Sequence, residues 1–444
     1  MISNWDLVKG ILETFGPAKL QSLRETSLRE WEEVGFPTHK DEEFKYFSLR
    51  ALDEAQFKPA YGALVDRFEV SQTTVGDIDA ITVGFINGEY APEISSDHLL
   101  PAGVFVGSIK DGYGICPEVV DRHLTKIATL RGKLGSTNDE RFMHLNTAYL
   151  SDGAFVYVPK GVALEKPVHL LFVTKADHGP MAAYPRALIV LEERAEAKVL
   201  ESYVGLQGTY FNNAVTEIYL GKSASLEHNK LQQEQADAVH IATTAIHQEA
   251  SSVYTSNVAN FGGKLVRNDL NAWVGGEHAE TWLNAASIAL GEQVMDNHTR
   301  IDHAVPNCNS FQVYKSILGG RSTGVFNGKI FVYKDAQKTD AKQTNQALLL
   351  SPKATINTKP QLEIFADDVK CTHGATVGQL REDAMFYLRS RGVPQKQARA
   401  LLVYAFAAEV FEKITIASAR EPLEKLLFDV LNQTEELPDA DPSE

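Results

Sequence analysis

The chain has 444 residues, of which 58 are acidic, 43 are basic and 3 are cysteines, and its formal net charge is −15. At roughly 150 residues per domain, this length predicts two or three structural units. The acidic balance argues against a broad nucleic-acid or anionic-membrane surface, because both need a positive field, and three widely spaced cysteines favour a reducing compartment over a disulfide framework.

The N-terminal residues predict helices and no export signal. Apolar residues recur at helical spacing from Trp5 to Phe15 and again over residues 17–34, where Gly35 and Pro37 end the second helix. Charges interrupt the first apolar stretch, so it is no signal peptide, and no window approaches the about 18 apolar residues of a bilayer span. We therefore expect a cytoplasmic protein that makes no membrane contact. Residues 1–135 form a helical and mixed unit, with the fold of residues 57–135 left open.

Residues 136–378 have a different sequence pattern: apolar and polar residues alternate in short runs that are rich in Val, Ile, Thr, Ser, Asn and Gly. The runs recur at a nearly constant interval, and each is followed by a small or polar corner and a second strand-like run. Successive intervals are 28, 28, 27 and 29 residues between the closing apolar residues Ile218, Ile246, Val274, Ile301 and Ile330. A fixed period in this range is typical of stacked repeats that share one core.

Two strands per repeat and no helix predict a mainly β fold, a parallel β-helix over residues 136–378. The usual crossover hand would make it right-handed. The alternative is a Greek-key sandwich in which the interval is accidental.

The C-terminal residues predict a helical region over 379–434. Apolar faces indicate helices over residues 379–391, 394–417 and 421–432. We expect the helical regions to cap the two ends of the solenoid, since exposed strand edges would otherwise invite aggregation. The acidic residues 435–444 are predicted to be disordered.

The sequence contains no motif of an ATP-using or hydrolytic enzyme. It has no Walker-type phosphate loop, no dinucleotide-binding glycine motif, no nucleophile elbow and no HExxH zinc motif. Any use of ATP must therefore come from a partner.

Histidines are frequent in the repeats, where column stacking could bring them together. His247 and His303 are two repeats apart, so they could share one column of side chains about 4.8 Å from coil to coil. Such stacking is more often structural than metal-binding.

The strongest candidate site is the run from Asp367 to Gly374, at the end of the predicted solenoid. In a strand, Cys371 and His373 would project from one face, and a thiolate with an imidazole suits zinc, copper(I) or iron–sulfur chemistry. Two ligands do not complete a site, so either a second chain supplies the others or Cys371 is merely buried.

Six segments, residues 324–330, 336–341, 346–351, 358–364, 366–378 and 386–392, together resemble the SufD branch of the SufB/SufD family of iron–sulfur cluster assembly proteins. The N-terminal motif, residues 37–46, also resembles the family's opening motif, with Phe44 where Trp is usual. The resemblance covers essentially the whole chain and is strongest over residues 310–392.

This resemblance implies a non-catalytic scaffold subunit. It would pair with SufB through the β-helix and with the ATPase SufC through the C-terminal helices, and it could form a homodimer when alone. His373 would contribute to binding iron or a nascent iron–sulfur cluster shared with SufB, whose cysteine would supply a further ligand. Cys371 lies in the same motif and is a second candidate. No permanent cofactor is implied, and flavin binding is left open.

Two other functions compete with this one. A SufB-like homodimeric scaffold would have the same fold. A β-helix carbohydrate-active enzyme would use carboxylates such as Glu277, Asp296 or Asp302 as acid and base, although such enzymes are mostly secreted.

Overall fold

A computed structural model of the chain describes residues 18–38, 40–46, 57–60, 63–73, 78–96, 98–129 and 140–433, together with Leu12, Leu49 and Leu52. Apart from Leu12, the helix predicted from Trp5 to Phe15 lies outside the described residues. The predicted disordered tail, residues 435–444, lies outside them as well.

Two long sheets dominate the described residues. The first sheet contains β1 (Lys58–Pro59), β4 (Phe105–Ser108), β5 (Ala154–Val158), β7 (Met181–Ala183), β8 (Arg186–Leu191), β10 (Tyr210–Leu220), β12 (Val239–Gln248), β14 (Leu265–Val274), β16 (Val294–His303), β18 (Thr323–Val332) and β20 (Thr355–Ile364). The second contains β2 (Ile81–Ile86), β3 (Glu89–Tyr90), β6 (Val168–Lys175), β9 (Glu196–Gln207), β11 (Ser225–Glu234), β13 (Val253–Gly262), β15 (Glu280–Ala289), β17 (Asn309–Leu318), β19 (Asp340–Leu349) and β21 (Lys370–Gln379).

From β8 to β21 the chain alternates between the two sheets, and each strand pairs in parallel with the next strand of its own sheet; β5 joins β8 and β6 joins β9 in the same way. This confirms the predicted mainly β, parallel solenoid, which winds through about eight coils. Alternate side chains point into the bore, where apolar columns such as Ile218, Ile246 and Ile301 are almost completely buried. The repeated sequence therefore folds as stacked coils around one core.

One residue was assigned to the wrong position of the predicted repeat. Ile246 pairs with Ala272, two residues before Val274. The turn from β13 to β14 contains only Gly263 and Lys264, whereas the next turn on that side, residues 290–293, has four residues. The position of Val274 nevertheless has the same inward orientation, because a shift of two residues preserves the face of a strand.

The corners predicted to be small or polar have a common backbone conformation. The φ values lie between 58° and 63° at Ser223, Ser251, His278 and Asn307, and also at Lys338, which directly follows the last predicted corner. The backbone N–H of Ser251 donates to the backbone carbonyl oxygen of Glu277 in the next coil (2.8 Å). The backbone N–H groups of Ser223, Asn307 and Lys338 make the same bond to the next coil, and these bonds help to fix the stacking.

Nine helices accompany the solenoid in the described part of the chain, and the one predicted over residues 17–34 is present as the first. They are α1 (Ala18–Val34), α2 (Arg67–Ser71), α3 (Ile109–Ile115), α4 (Pro117–His123), α5 (Lys126–Thr129), α6 (Arg141–Ala148), α7 (Glu382–Ser390), α8 (Gln395–Phe411) and α9 (Ala417–Gln433). None of these helices is both long enough and apolar enough to span a membrane.

The helical regions do not cap both ends of the solenoid as predicted. Residues 81–108 extend its N-terminal end, with β2 joining β6 and β4 joining β5. The C-terminal helices instead lie on the outer face of the second sheet, where Val403 and Phe411 share an apolar cluster with Ile317. No described strand pairs with the outer edge of β20 or β21. The last coil is therefore left open.

The long C-terminal helix predicted over residues 394–417 is also interrupted. Helix α8 ends at Phe411, and α9 begins at Ala417. Between them the backbone N–H of Thr415 donates to Glu227 Oε1 on β11 (2.8 Å), and the Thr415 hydroxyl bonds to the same carboxylate. A contact with the solenoid thus breaks a stretch whose apolar pattern continues.

Candidate functional site

The predicted ligands Cys371 and His373 lie on β21, the last strand of the second sheet. Cys371 pairs with Ala341 and His373 pairs with Gln343 on β19. Ala341 and Gln343 are buried side chains of the bore, so the two predicted ligands occupy inward-facing positions of the open coil. The structure therefore places both at the mouth of the solenoid.

Burial makes Cys371 a weak source of thiolate. Its side chain is half-buried in a small apolar cluster that includes Val332 and Ala341. This burial raises the pKa of the Cys371 thiol, and Asp340 acts in the same direction, against the opposing effect of a hydrogen bond from the backbone of Ala341. Since the thiolate is the metal-binding form, Cys371 needs a metal to displace its proton.

His373 is the more accessible of the two groups. Its side chain is exposed, and no described residue hydrogen-bonds to its imidazole. An imidazole nitrogen is a good ligand for iron, zinc or copper. His373 can therefore meet a metal or a partner protein at the end face.

A complete metal site is not formed by the described residues. No group of three or more His, Cys, Asp or Glu side chains among them is arranged to hold a metal ion. The other ligands of any metal at His373 would have to come from outside this described part of the chain.

The predicted column of His247 and His303 is wrong. His247 pairs with Trp273, which pairs with Asp302, whereas His303 pairs with Val274. The two histidines are one residue out of register, so they point to opposite faces of the sheet. His247 is half-buried on the outer face, and His303 is buried in the bore, where its Nε2 lies 2.9 Å from the Ser310 hydroxyl.

His228, in the middle of the bore, belongs to a buried polar network. His228 Nε2 lies 2.9 Å from Glu201 Oε2, and Lys230 Nζ donates to Asn268 Oδ1 (2.8 Å). Burial raises the pKa of Glu201, but His228 and Lys230 outweigh it and lower the pKa to about 2. These buried charges have partners, as buried charges in stable folds do.

The carboxylates of the competing enzyme hypothesis are engaged in ion pairs or lie at a corner. Asp296 is buried and accepts from Arg267 Nη1 (2.8 Å). Asp302 is buried against Arg300, which donates to both of its oxygens. Glu277 precedes the corner residue His278. Two of the three carboxylates are therefore held in buried ion pairs.

A second exposed surface lies on the C-terminal helices. Phe386 and Tyr387 on α7 are 75% and 58% exposed, and Leu401 on α8 is 42% exposed. Exposed aromatic side chains are enriched in protein–protein interfaces. This surface is a candidate for contact with a partner.

Sequence reasoning missed Gln343, which lies beside His373 in register one coil earlier. The repeat could in principle have indicated it, because register neighbours lie about one period apart. The turns vary in length, however, so only the paired strands identify the neighbour.

Comparison with known proteins gives consistent similarities over nearly the whole chain. The family model described as "SUF system FeS cluster assembly, SufBD core domain" matches residues 172–406, and the model "SufBD protein N-terminal region" matches residues 5–170. An iron–sulfur cluster assembly SufBD family protein of Synechocystis is 38% identical over 86% of this chain and 84% of its own length. Iron–sulfur cluster assembly protein SufD of Escherichia coli is 32% identical over 86% of each chain. The chloroplastic protein ABCI7 of Arabidopsis thaliana is 32% identical over 90% of this chain and 84% of its own length.

Proposed function

Because this chain belongs to the SufBD family of iron–sulfur cluster assembly proteins, we propose that it is a SufD-type scaffold subunit that performs no catalysis itself. The observation that carries this proposal is the open last coil, which presents His373 beside two strand edges without described partners. An open edge of this kind is a template for pairing with another chain.

The proposed partner at this end is SufB. Strands β20 and β21 would meet the corresponding strands of SufB, so that two solenoids join end to end. The exposed Val377 on β21, 52% accessible, supplies apolar area for such a contact. Pairing would also cover the row of backbone groups that β21 leaves at the edge.

The proposed cargo of this interface is iron or a nascent iron–sulfur cluster. His373 would contribute one ligand, Cys371 is a second candidate, and SufB would supply the rest. This division is supported by the incomplete ligand set among the described residues. The raised pKa of Cys371 makes His373 the stronger candidate, since imidazole binds metal in its neutral form.

We propose further that the ATPase SufC binds the C-terminal helices. The exposed side chains of Phe386, Tyr387 and Leu401 support this assignment. Helix α8 rests on β13, β15 and β17, so a force applied to the helices would be transmitted to the solenoid. ATP hydrolysis by SufC could thereby move the end face that contains His373.

A SufB-like homodimeric scaffold is the second candidate, since the open coil could equally pair with a second copy of this chain. A carbohydrate-active enzyme has less support, because Asp296 and Asp302 are held in buried ion pairs. A cytoplasmic location stays a prediction, and one relative carries the description chloroplastic.

Reconstitution with SufB and SufC tests the proposed function. We expect a stable complex that accumulates iron and sulfide, and we expect H373A to assemble normally while accumulating much less of both. C371A should lose less than H373A does. Failure to form the complex, or an unchanged iron and sulfide content in H373A, would contradict the proposal. A stable homodimer that assembles clusters without SufB would favour the second candidate.

A further inference from the structure

A buried carboxamide without partners lies directly inside the candidate site. Gln343 on β19 is only 1% exposed, yet neither its Oε1 nor its Nε2 has a hydrogen-bond partner in the described structure. Buried polar atoms in folded proteins are almost always paired, so an unpaired one calls for an explanation. A leucine or methionine would fill this position without that cost.

The opposite wall of the bore leaves room for this side chain. Gly328 on β18 faces Gln343, and a Cβ atom added at Gly328 would overlap the Gln343 Nε2 atom. The φ of Gly328 is not positive, so the backbone conformation does not require glycine there. Space for the carboxamide is the requirement that the structure shows.

The nearest inward-facing residue toward the open end is His373. Gln343 and His373 are register partners on β19 and β21, and the strands of a parallel pair lie about 4.8 Å apart. The His373 imidazole also has no partner among the described residues. Two unpaired hydrogen-bonding groups thus lie in one column.

We infer that Gln343 is a positioning residue for His373, with its carboxamide oxygen accepting the N–H of the imidazole. The other ring nitrogen would then be free to face a metal beyond the end of the solenoid. Histidines that bind metals commonly donate their second ring nitrogen to an acceptor of this kind, which fixes the tautomer and the ring orientation. The inference rests on the proposed function, because it assigns His373 a ligand role.

Assembly gives this bond its physical reason. A partner seated on the last coil buries His373, and a buried ring N–H needs an acceptor. Gln312 lies one coil before Gln343 in the same column. It is a less available acceptor, because its Oε1 already accepts a hydrogen bond from the Thr299 hydroxyl (2.8 Å). Gln343 has an unused acceptor at the adjacent position.

The test compares two substitutions of Gln343. Their relative effects on cluster formation differ between a residue that positions His373 and a residue that only fills space. Q343M keeps the length and approximate volume of the side chain but removes the acceptor, whereas Q343E keeps an acceptor and introduces a buried charge. If Gln343 only fills space, methionine is harmless and glutamate is damaging. If Gln343 positions His373, methionine lowers cluster formation by roughly tenfold or more, and glutamate restores it.

The measurement is the rate of iron–sulfur cluster formation, followed by visible absorption on the assembled complex with SufB and SufC. Q343L is a second variant without an acceptor. The matched control is Q233L, because Gln233 also has a buried, unpartnered Oε1 but lies on β11, away from the last coil. Wild-type rates in Q343M and Q343L, or equal losses in Q343M and Q343E, would overturn the inference. If those rates are normal while H373A is inactive, only the positioning role fails. If H373A is normal, the proposed function fails.

Discussion

Arg186 on β8 and Glu217 on β10 form an ion pair from which solvent is completely excluded. The same carboxylate accepts the backbone N–H groups of Thr125 (2.8 Å) and Ala128 (3.0 Å). Arg186 Nη1 also donates to Asn146 Oδ1 on α6 (2.9 Å). One buried charge pair on the first sheet therefore holds both the turn before α5 and helix α6 against the solenoid.

Removing one charge of this pair should be strongly destabilising. E217Q keeps the shape but leaves the Arg186 guanidinium buried without a counter-charge, which costs about 3–5 kcal/mol of the free energy of unfolding. Urea denaturation measures this loss. The control is E193Q, which breaks the exposed pair between Lys160 and Glu193 and should change stability little. Equal losses in the two variants would contradict the assigned role of Glu217.

The attachment of the N-terminal motif should weaken at alkaline pH. His298 Nε2 lies 2.8 Å from Asp296 Oδ1, and its Nδ1 lies 3.2 Å from Glu43 Oε2. Burial and the nearby Arg267 lower the pKa of His298, but the two carboxylates outweigh them and raise it to about 9.

A raised pKa means that the charged imidazole stabilises the folded state. The full stabilisation is present below pH ~6.5, the ordinary value, and is lost as the pH rises through about 9. Between pH 6 and 9 the wild type should lose roughly 1–3 kcal/mol more than H298Q does. Urea denaturation at the two pH values measures the difference, and parallel pH profiles would exclude this role for His298.

Pairing at the open coil should be sensitive to charge at its surface. V377D places a carboxylate on the same face of β21 as His373, at an exposed position of the open coil, so we expect weaker binding to SufB with little change in the stability of the chain itself. Size-exclusion chromatography of the mixed proteins measures the binding. F68D is the control, because Phe68 is an exposed apolar residue on α2, 71% accessible, outside the last coil. Similar losses in both variants would argue against this interface.

The thiol of Cys371 should react slowly at neutral pH. Burial raises its pKa, and alkylating reagents attack the thiolate. Mass spectrometry after iodoacetamide treatment should show modification that accelerates only as the pH rises to 9 and above, and the C371S variant identifies the modified peptide. Rapid alkylation at pH 7 would show that the thiolate is already present and would make Cys371 a stronger ligand candidate.

The architecture could be predicted to a large extent from the sequence because strand periodicity is a local property. Inward-facing residues recur every second position, and coils recur at nearly constant intervals, as Ile218 and Ile246 show. The error in the register of Val274 did not change its predicted orientation, since a two-residue shift keeps a side chain on the same face of the strand. The one-residue offset between His247 and His303 did make the prediction wrong, because it places the two side chains on opposite faces of the sheet.

The candidate site could be predicted only in part. The positions of Cys371 and His373 in one strand are enough to place both on one face, and the structure agrees. Their unequal exposure depends on neighbours from other coils, including Val332 and Ala341. Gln343 could not be found in the same way, because its unpaired state depends on every group around it in the folded chain.

The sequence by itself determined the stacked coils and the helical regions, and it indicated Cys371 and His373 as candidate ligands, because these follow from spacing along the chain and from the chemistry of single side chains. Only the tertiary structure decided that the C-terminal helices lie on the side of the solenoid and that the last coil stays open. It also decided that Glu227 interrupts a predicted helix at Thr415 and that Gln343 lies beneath His373. These features depend on turn lengths and on contacts between residues distant in sequence, and no local pattern encodes them.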